Sequence, residues 1–278
     1  MNIQKQLYSF TQQQIIEKIQ VNIPFTMLVE RQWQDIFFNS RINPEIGLAA
    51  EALDGFSLSD FKHFANQFHK RNRSITIHGP FMDLSPGSPD ARIRELTVYR
   101  FKQLIEAVSV FKPKTVVCHA GYEHVRYGFC KEKWLEYTVD TWKWLGRELF
   151  KRGTRLMLEN VYETNPNELL QLLEQLDPKH IGYCLDVGHL ASFGKYPLDK
   201  WLNATGKYIG QLHLHDNHGD HDSHLGMGEG GINFDLLFEH IKHMTEKPVI
   251  TLEPHEKEDF IASLAYLEQS NFLSLMAS

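Results

Sequence analysis

Residues 155–189 read RLMLENVYETNPNELLQLLEQLDPKHIGYCLDVGH, and this stretch decides the fold. An apolar run, RLMLEN, gives way to Asn165-Pro-Asn-Glu and the helical pattern LLQLLEQL, and the chain then returns to a second apolar run, IGYCLD. Asn165 is a helix N-cap, the following proline suits the first helical position, and Glu168 completes a capping box. Two strands separated by a whole helix form a parallel pair, because an antiparallel pair needs only a tight turn.

Working outward, the same unit recurs along the chain. Strands are expected near 23–29 (IPFTMLV), 45–50 (EIGLAA), 74–79 (SITIHG), 115–120 (TVVCHA), 155–160, 181–186, 210–216 (GQLHLHD) and 248–253 (PVITLE). Helix-sized segments lie between them, one opened by Ser57 before FKHFANQFHK. Eight such units describe a (β/α)8 barrel better than an open doubly wound sheet, and neither a GxGxxG nor a Walker-type loop is present. No Pro/Gly/Ser linker or low-complexity stretch divides the chain, so residues 1–278 read as one domain. Residues 1–21 read as an N-terminal helical extension: Ile3, Leu7, Phe10, Ile15 and Ile19 suit an amphipathic helix or two packed on the barrel.

A chain of 278 residues with 42% hydrophobic content can bury a large core, and a net charge of −6 argues against a generally basic nucleic-acid footprint. Cys118, Cys130 and Cys184 are too few and too scattered for a disulfide framework or a structural zinc site. The N-terminus lacks the apolar core of a signal peptide, and no stretch approaches 18 apolar residues, so a cytoplasmic protein without a membrane span is expected.

Residues able to bind metal recur at strand ends: His78, His119, Glu159, Asp186, His189, His213 and Glu253. In a barrel those ends converge on one face. Burying so many carboxylates together without a cation costs several kcal/mol each, which points to bound metal. Five histidines fall between 213 and 224, in the longest connection of the chain. His218 and His221 read as solvated, whereas Asp222 and His224, followed by glycines, suit a ligand pair reaching back over the mouth. Cys118 and Cys184 are expected to turn away from the site, towards the helices.

The strings HGPF, CHAGY, LEN, CLDVGH, HLHDN, DSHLGMGEG and TLEP, in that order, resemble the xylose isomerase-like TIM-barrel superfamily over residues 22 to 270. Its endonuclease IV branch implies three metal sites: His78, His119 and Glu159; a bridging Glu159 with Asp186, His213 and Glu253; and His189, Asp222 and His224. Its isomerase and epimerase branch implies one ion on Glu159, Asp186, His213 and Glu253. The resemblance therefore implies one to three divalent ions, with zinc, manganese and iron all compatible with the mixed N/O donors.

The NVYETNP segment after Glu159 and Ser223 in the Asp-x-His loop depart from the DNA-repair pattern. The expected function is isomerisation or epimerisation of a small sugar or sugar phosphate, with Glu159, Glu253 and His189 as catalytic candidates. Phosphodiester hydrolysis of the endonuclease IV kind, with nucleic acid as substrate, is the second reading, and a non-catalytic metal-binding protein the third.

Overall fold

The computed structural model describes residues 8–277. Eight parallel strands close into a barrel in sequence order: β1 (Gln20–Pro24), β2 (Asn43–Gly47), β3 (Thr76–His78), β4 (Thr115–His119), β5 (Arg155–Glu159), β6 (Ile181–Asp186), β7 (Ile209–Leu214) and β8 (Val249–Leu252). β1 pairs with β8 through Gln20↔Thr251 and Val21↔Leu252, which seals the ring. Helices lie between the strands and cover the outside, where apolar side chains such as Phe25, Phe68, Phe101, Phe111, Trp142 and Trp201 are buried. No helix among the described residues is long and apolar enough to cross a membrane.

Register carries the strand ends to one rim. His119 sits opposite Glu159, Asp186 opposite His213, and His78 opposite Gly47. The two-residue side-chain period then turns every second residue beneath them into the barrel. Much of that interior is polar. Glu45, Thr76, Thr115, Gln211 and Thr251 are all buried and joined by hydrogen bonds, with Thr115 donating to Gln211 Oε1 (2.6 Å) and Gln211 Nε2 donating to Glu45 Oε2 (2.6 Å).

Three expectations need correction or completion. The first strand runs from Gln20 to Pro24 rather than over 23–29, and Phe25–Leu28 is a short helix. Its inward residues, Gln20 and Asn22, are polar to match the polar interior, so the apolar run IPFTMLV misplaced it. Phe25 is instead buried outside the barrel, edge-on to Phe56, Phe61 and Phe64 at 5.0, 4.9 and 5.2 Å. Cys118, next to His119, turns outward as expected, but Cys184 stands two residues before Asp186 and therefore faces inward. It is buried with Val117 and Met157 in a small apolar cluster of its own. Finally, the N-terminal helix spans Phe10–Ile16, opened by a capping box at Ser9, with Ile15, Ile16 and Ile19 buried and Phe10 exposed. It is held to the helix Lys257–Gln269 by Ser9 Oγ donating to Glu268 (2.8 Å); Ile3 and Leu7 lie outside the described residues.

Candidate metal centre at the barrel mouth

Glu159 is the hub. It is fully buried, and its Oε1 lies 3.1 Å from His213 Nδ1 and 3.4 Å from His189 Nδ1. Its Oε2 lies 3.2 Å from His78 Nε2 and 3.6 Å from His119 Nε2. Potential ligand atoms of Glu159, Asp186, His213 and Glu253 fall within 4.8 Å of one another, as do those of His189, Asp222 and His224, and those of His78, Glu159 and His213. Seven of the nine strand-end and loop residues singled out in the sequence line one cavity, and the other two, Asp186 and His213, join the cluster through His213, whose Nδ1 lies 3.1 Å from Glu159 and 3.8 Å from Asp186; His119 reaches Glu159 while standing outside these groupings.

Hydrogen bonds fix which nitrogen faces the centre. Nδ1 of His78, His189 and His224 lies 3.0, 3.0 and 2.9 Å from the backbone carbonyls of Gly79, Asn160 and Glu253. A carbonyl only accepts, so each Nδ1 carries the hydrogen and each neutral ring leaves a bare Nε2. For His78 that nitrogen meets Glu159, and for His189 and His224 it meets Asp222 Oδ2 at 3.3 and 3.1 Å. A bare nitrogen facing a carboxylate oxygen needs a positive charge between or upon them. Asp222 Oδ1 and His215 Nδ1, both buried, have no hydrogen-bond partner at all. The donor set fits a divalent cation on these grounds.

The protonation of the metal-free cluster reads the same way. Burial pushes Glu159 up, but His213, His189 and His78 outweigh it and hold the carboxyl well below its usual range. Burial also opposes charge on His224, yet the Asp222 hydrogen bond and nearby Glu253 raise it to about 9. Burial, helped by Glu159 and Asp186 and opposed by His213, raises Glu253. His119, without comparable support, is driven by burial to about 3 and stays neutral. Protons on His189, His213 and His224 thus occupy the role a cation would take.

Several residues with a part in the site escaped the sequence reading. Glu45 in the middle of β2 is fully buried, with its Oε1 2.9 Å from His213 Nε2, while its Oε2 accepts from Thr76 (2.8 Å), Gln211 (2.6 Å) and Thr251 (3.0 Å). Holding the hydrogen on Nε2 frees Nδ1 of His213 for the centre. Its one signal was a carboxylate of inward parity in the strand EIGLAA. Asn22 donates to Glu253 Oε1 (3.1 Å).

His215 is one of the five histidines between 213 and 224. It lies 3.2 Å from both oxygens of Asp186, and its ring fits only because Gly188 has no Cβ, which would come 1.9 Å from it. Asp216 accepts from the backbone of Asn217, Gly228, Gly230 and Ile232 (2.9–3.1 Å), and its own backbone pairs with Leu225. That clamp folds the loop back so that Asp222 and His224 reach the mouth, His224 with a left-handed backbone (φ 52°). His218 and His221 stay exposed, as expected.

The centre lines a cavity of about 440 Å³, whose walls include Pro24, Leu48, Phe81, Tyr162 and Phe193. Such a volume suits a small molecule.

Comparison with known proteins agrees with this architecture. The chain is 29% identical over 230 residues to an uncharacterised protein of Methanocaldococcus jannaschii, covering 80% of this chain and 78% of that one. It is 24% identical over 227 residues to a probable endonuclease 4 of Mesomycoplasma hyopneumoniae, covering 72% and 79%. A crystal structure of a D-tagatose 3-epimerase-like protein superposes with a TM-score of 0.76 at 25% identity, covering 94% of this chain and 98% of that one. Residues 45–270 match the family described as xylose isomerase-like TIM barrel. With that match spanning most of a closed eight-stranded barrel, the chain belongs to the xylose isomerase-like TIM barrel family.

Proposed function

We propose that this protein is a divalent-metal-dependent isomerase or epimerase of a small sugar. The observation that carries the reading is the grouping of ligand atoms of Glu159, Asp186, His213 and Glu253 within 4.8 Å of one another, with Glu159 and Glu253 lining a cavity sized for one small molecule. These four residues would hold the ion; when bound, it supplies Lewis acidity to a carbonyl and the hydroxyl beside it.

The chain's own groups then do the rest. Glu253 and Glu159 both lie 3.1 Å from His213 Nδ1, so two carboxylates border the place where a substrate carbon would sit. One takes the proton from the carbon next to the carbonyl. Returned to the adjacent carbon, with the hydroxyl proton moving the other way, it gives isomerisation; returned to the opposite face of the same carbon, it gives epimerisation. Glu253 is the better proton carrier because its affinity for protons is raised, nearer the working pH. Asn22 orients it, and His189 offers a second proton route between Glu159 and Asp222. The apolar walls limit water around the reacting carbon.

One observation favours the rival reading: the additional grouping of His189, Asp222 and His224 offers a further ion, which phosphoester hydrolysis uses to neutralise charge on phosphorus oxygens. The test is a pair of assays on manganese- or zinc-reconstituted protein, one with a panel of ketoses and their phosphates, the other with an abasic-site duplex, each repeated with EDTA. We expect EDTA-sensitive sugar conversion that survives in the Asp222→Ala/His224→Ala variant, and no strand cleavage. EDTA-sensitive cleavage lost in that variant would replace this reading with hydrolysis.

A further inference from the structure

Resting on the reading above, we propose that the cavity accepts an uncharged carbohydrate whose end remote from the carbonyl carries an apolar ring, as in a 6-O-benzyl sugar, and that it rejects sugar phosphates. Polarity inside the cavity is divided. Carboxylates and imidazoles of the metal centre supply one part of the lining, and Leu48, Phe81, Tyr162 and Phe193 supply apolar surface to the same cavity. Phe81 (40% exposed) stacks one face on His119 at 4.4 Å, and Tyr162 (50% exposed) is braced by Phe193 at 5.1 Å. Half-exposed rings held by other rings are preorganised for stacking, and they offer little to the hydroxyls of a longer free sugar.

Beyond the metal centre and its histidines, fixed positive charge for a phosphate is missing. Among the described residues, no lysine or arginine lines the cavity, although the chain contains 29. The loops at 48–57, 79–90, 160–165 and 215–233 contain neither residue. Arg126, on the loop after β4, is turned to Glu123 (3.3 Å).

Helix starts provide no substitute. The helix after β6 is capped by the carboxylate of Asp186 itself, and the short helix whose start borders Leu48 and Ala49 carries Glu51 in its first turn. A phosphate group brings roughly −1.5 to −2 charges, and at the far end of the cavity nothing would pair with it.

The experiment is calorimetric titration of manganese-loaded protein with D-glucose, D-glucose 6-phosphate and 6-O-benzyl-D-glucose, with inorganic phosphate titrated separately to account for anion taken up at the ions. The benzyl ether is expected to bind at least tenfold more tightly than glucose, and the 6-phosphate more weakly than glucose. Tyr162→Ala should remove most of the tenfold gain of the benzyl ether over glucose. A 6-phosphate that binds more tightly than glucose beyond the inorganic-phosphate contribution, or a benzyl group without effect, overturns the inference and leaves the isomerase reading intact. The expected order of binding without turnover of any sugar overturns the isomerase reading alone. No binding by any of the three overturns this inference.

Discussion

Replacing Glu45 by glutamine tests whether a side chain buried beneath the centre sets its chemistry. Every group facing this carboxylate donates to it: His213 Nε2 and, at 3.4 Å, Asn22 Nδ2 on one oxygen, and Thr76, Gln211 and Thr251 on the other. A glutamine keeps the shape but has one acceptor and one donor. If its oxygen keeps the three donors, its NH2 meets His213 Nε2; that nitrogen must then accept, and the ring hydrogen moves to Nδ1, where the metal would bind. If the amide turns the other way, its NH2 opposes the Gln211 amide, which also donates to Thr251 at 3.1 Å.

Either arrangement weakens the site without removing a ligand. Losing a partner of this kind costs 10- to 100-fold in metal affinity, or about 1.4–2.7 kcal/mol. Competition against a chelator of known affinity gives the first measurement, and two-bond 15N–1H correlation of the histidine ring gives the tautomer. Thr76→Val is the control, because it removes a donor without disturbing the hydrogen on His213. Metal affinity within twofold of the parent, with the Nε2–H tautomer retained in Glu45→Gln, would refute the reasoning.

Other outcomes follow from the same geometry. Glu159→Ala should lose more metal than His224→Ala, because Glu159 is a fully buried carboxylate that touches four imidazoles and brings negative charge to the centre, whereas His224 is only part-buried and brings a neutral nitrogen; metal analysis showing equal loss would contradict this. Metal uptake at pH 7 should release protons and tighten as pH rises towards 9, since His224 is charged below about 9 in the metal-free protein and must become neutral to bind. Calorimetry in buffers of different ionisation enthalpy measures the release, and zero protons released would count against it. Glu163 is buried, and burial raises its carboxyl from 4.5 to about 7. The folded state therefore binds this proton more tightly than the unfolded state. The associated stability, about 3 kcal/mol, is complete below about pH 4.5 and lost as pH rises through about 7. The stability difference between parent and Glu163→Gln should shift in that direction across this window in denaturant titrations; a constant difference would exclude Glu163 as the titrating group.

The alternation of apolar runs with capped helices determined the barrel, since eight βα units in parallel have few ways to close. The strand ends were legible for the same reason: a carboxylate or imidazole such as Glu159 or His213 closing an apolar run stands out against it. Where the barrel interior is polar that contrast disappears. Asn22 and Gln20 hid β1 behind the apolar residues that follow it, and Glu45 looked like the start of a strand instead of the support of His213. Cys184 was misjudged because its direction depends on parity with Asp186 rather than on its own chemistry. Only the folded chain decided the tautomers, the Asp216 clamp and the left-handed backbone of His224. These depend on which groups meet across strands distant in sequence, because a hydrogen bond is fixed by the position of both partners while hydrophobic periodicity is carried by one segment alone.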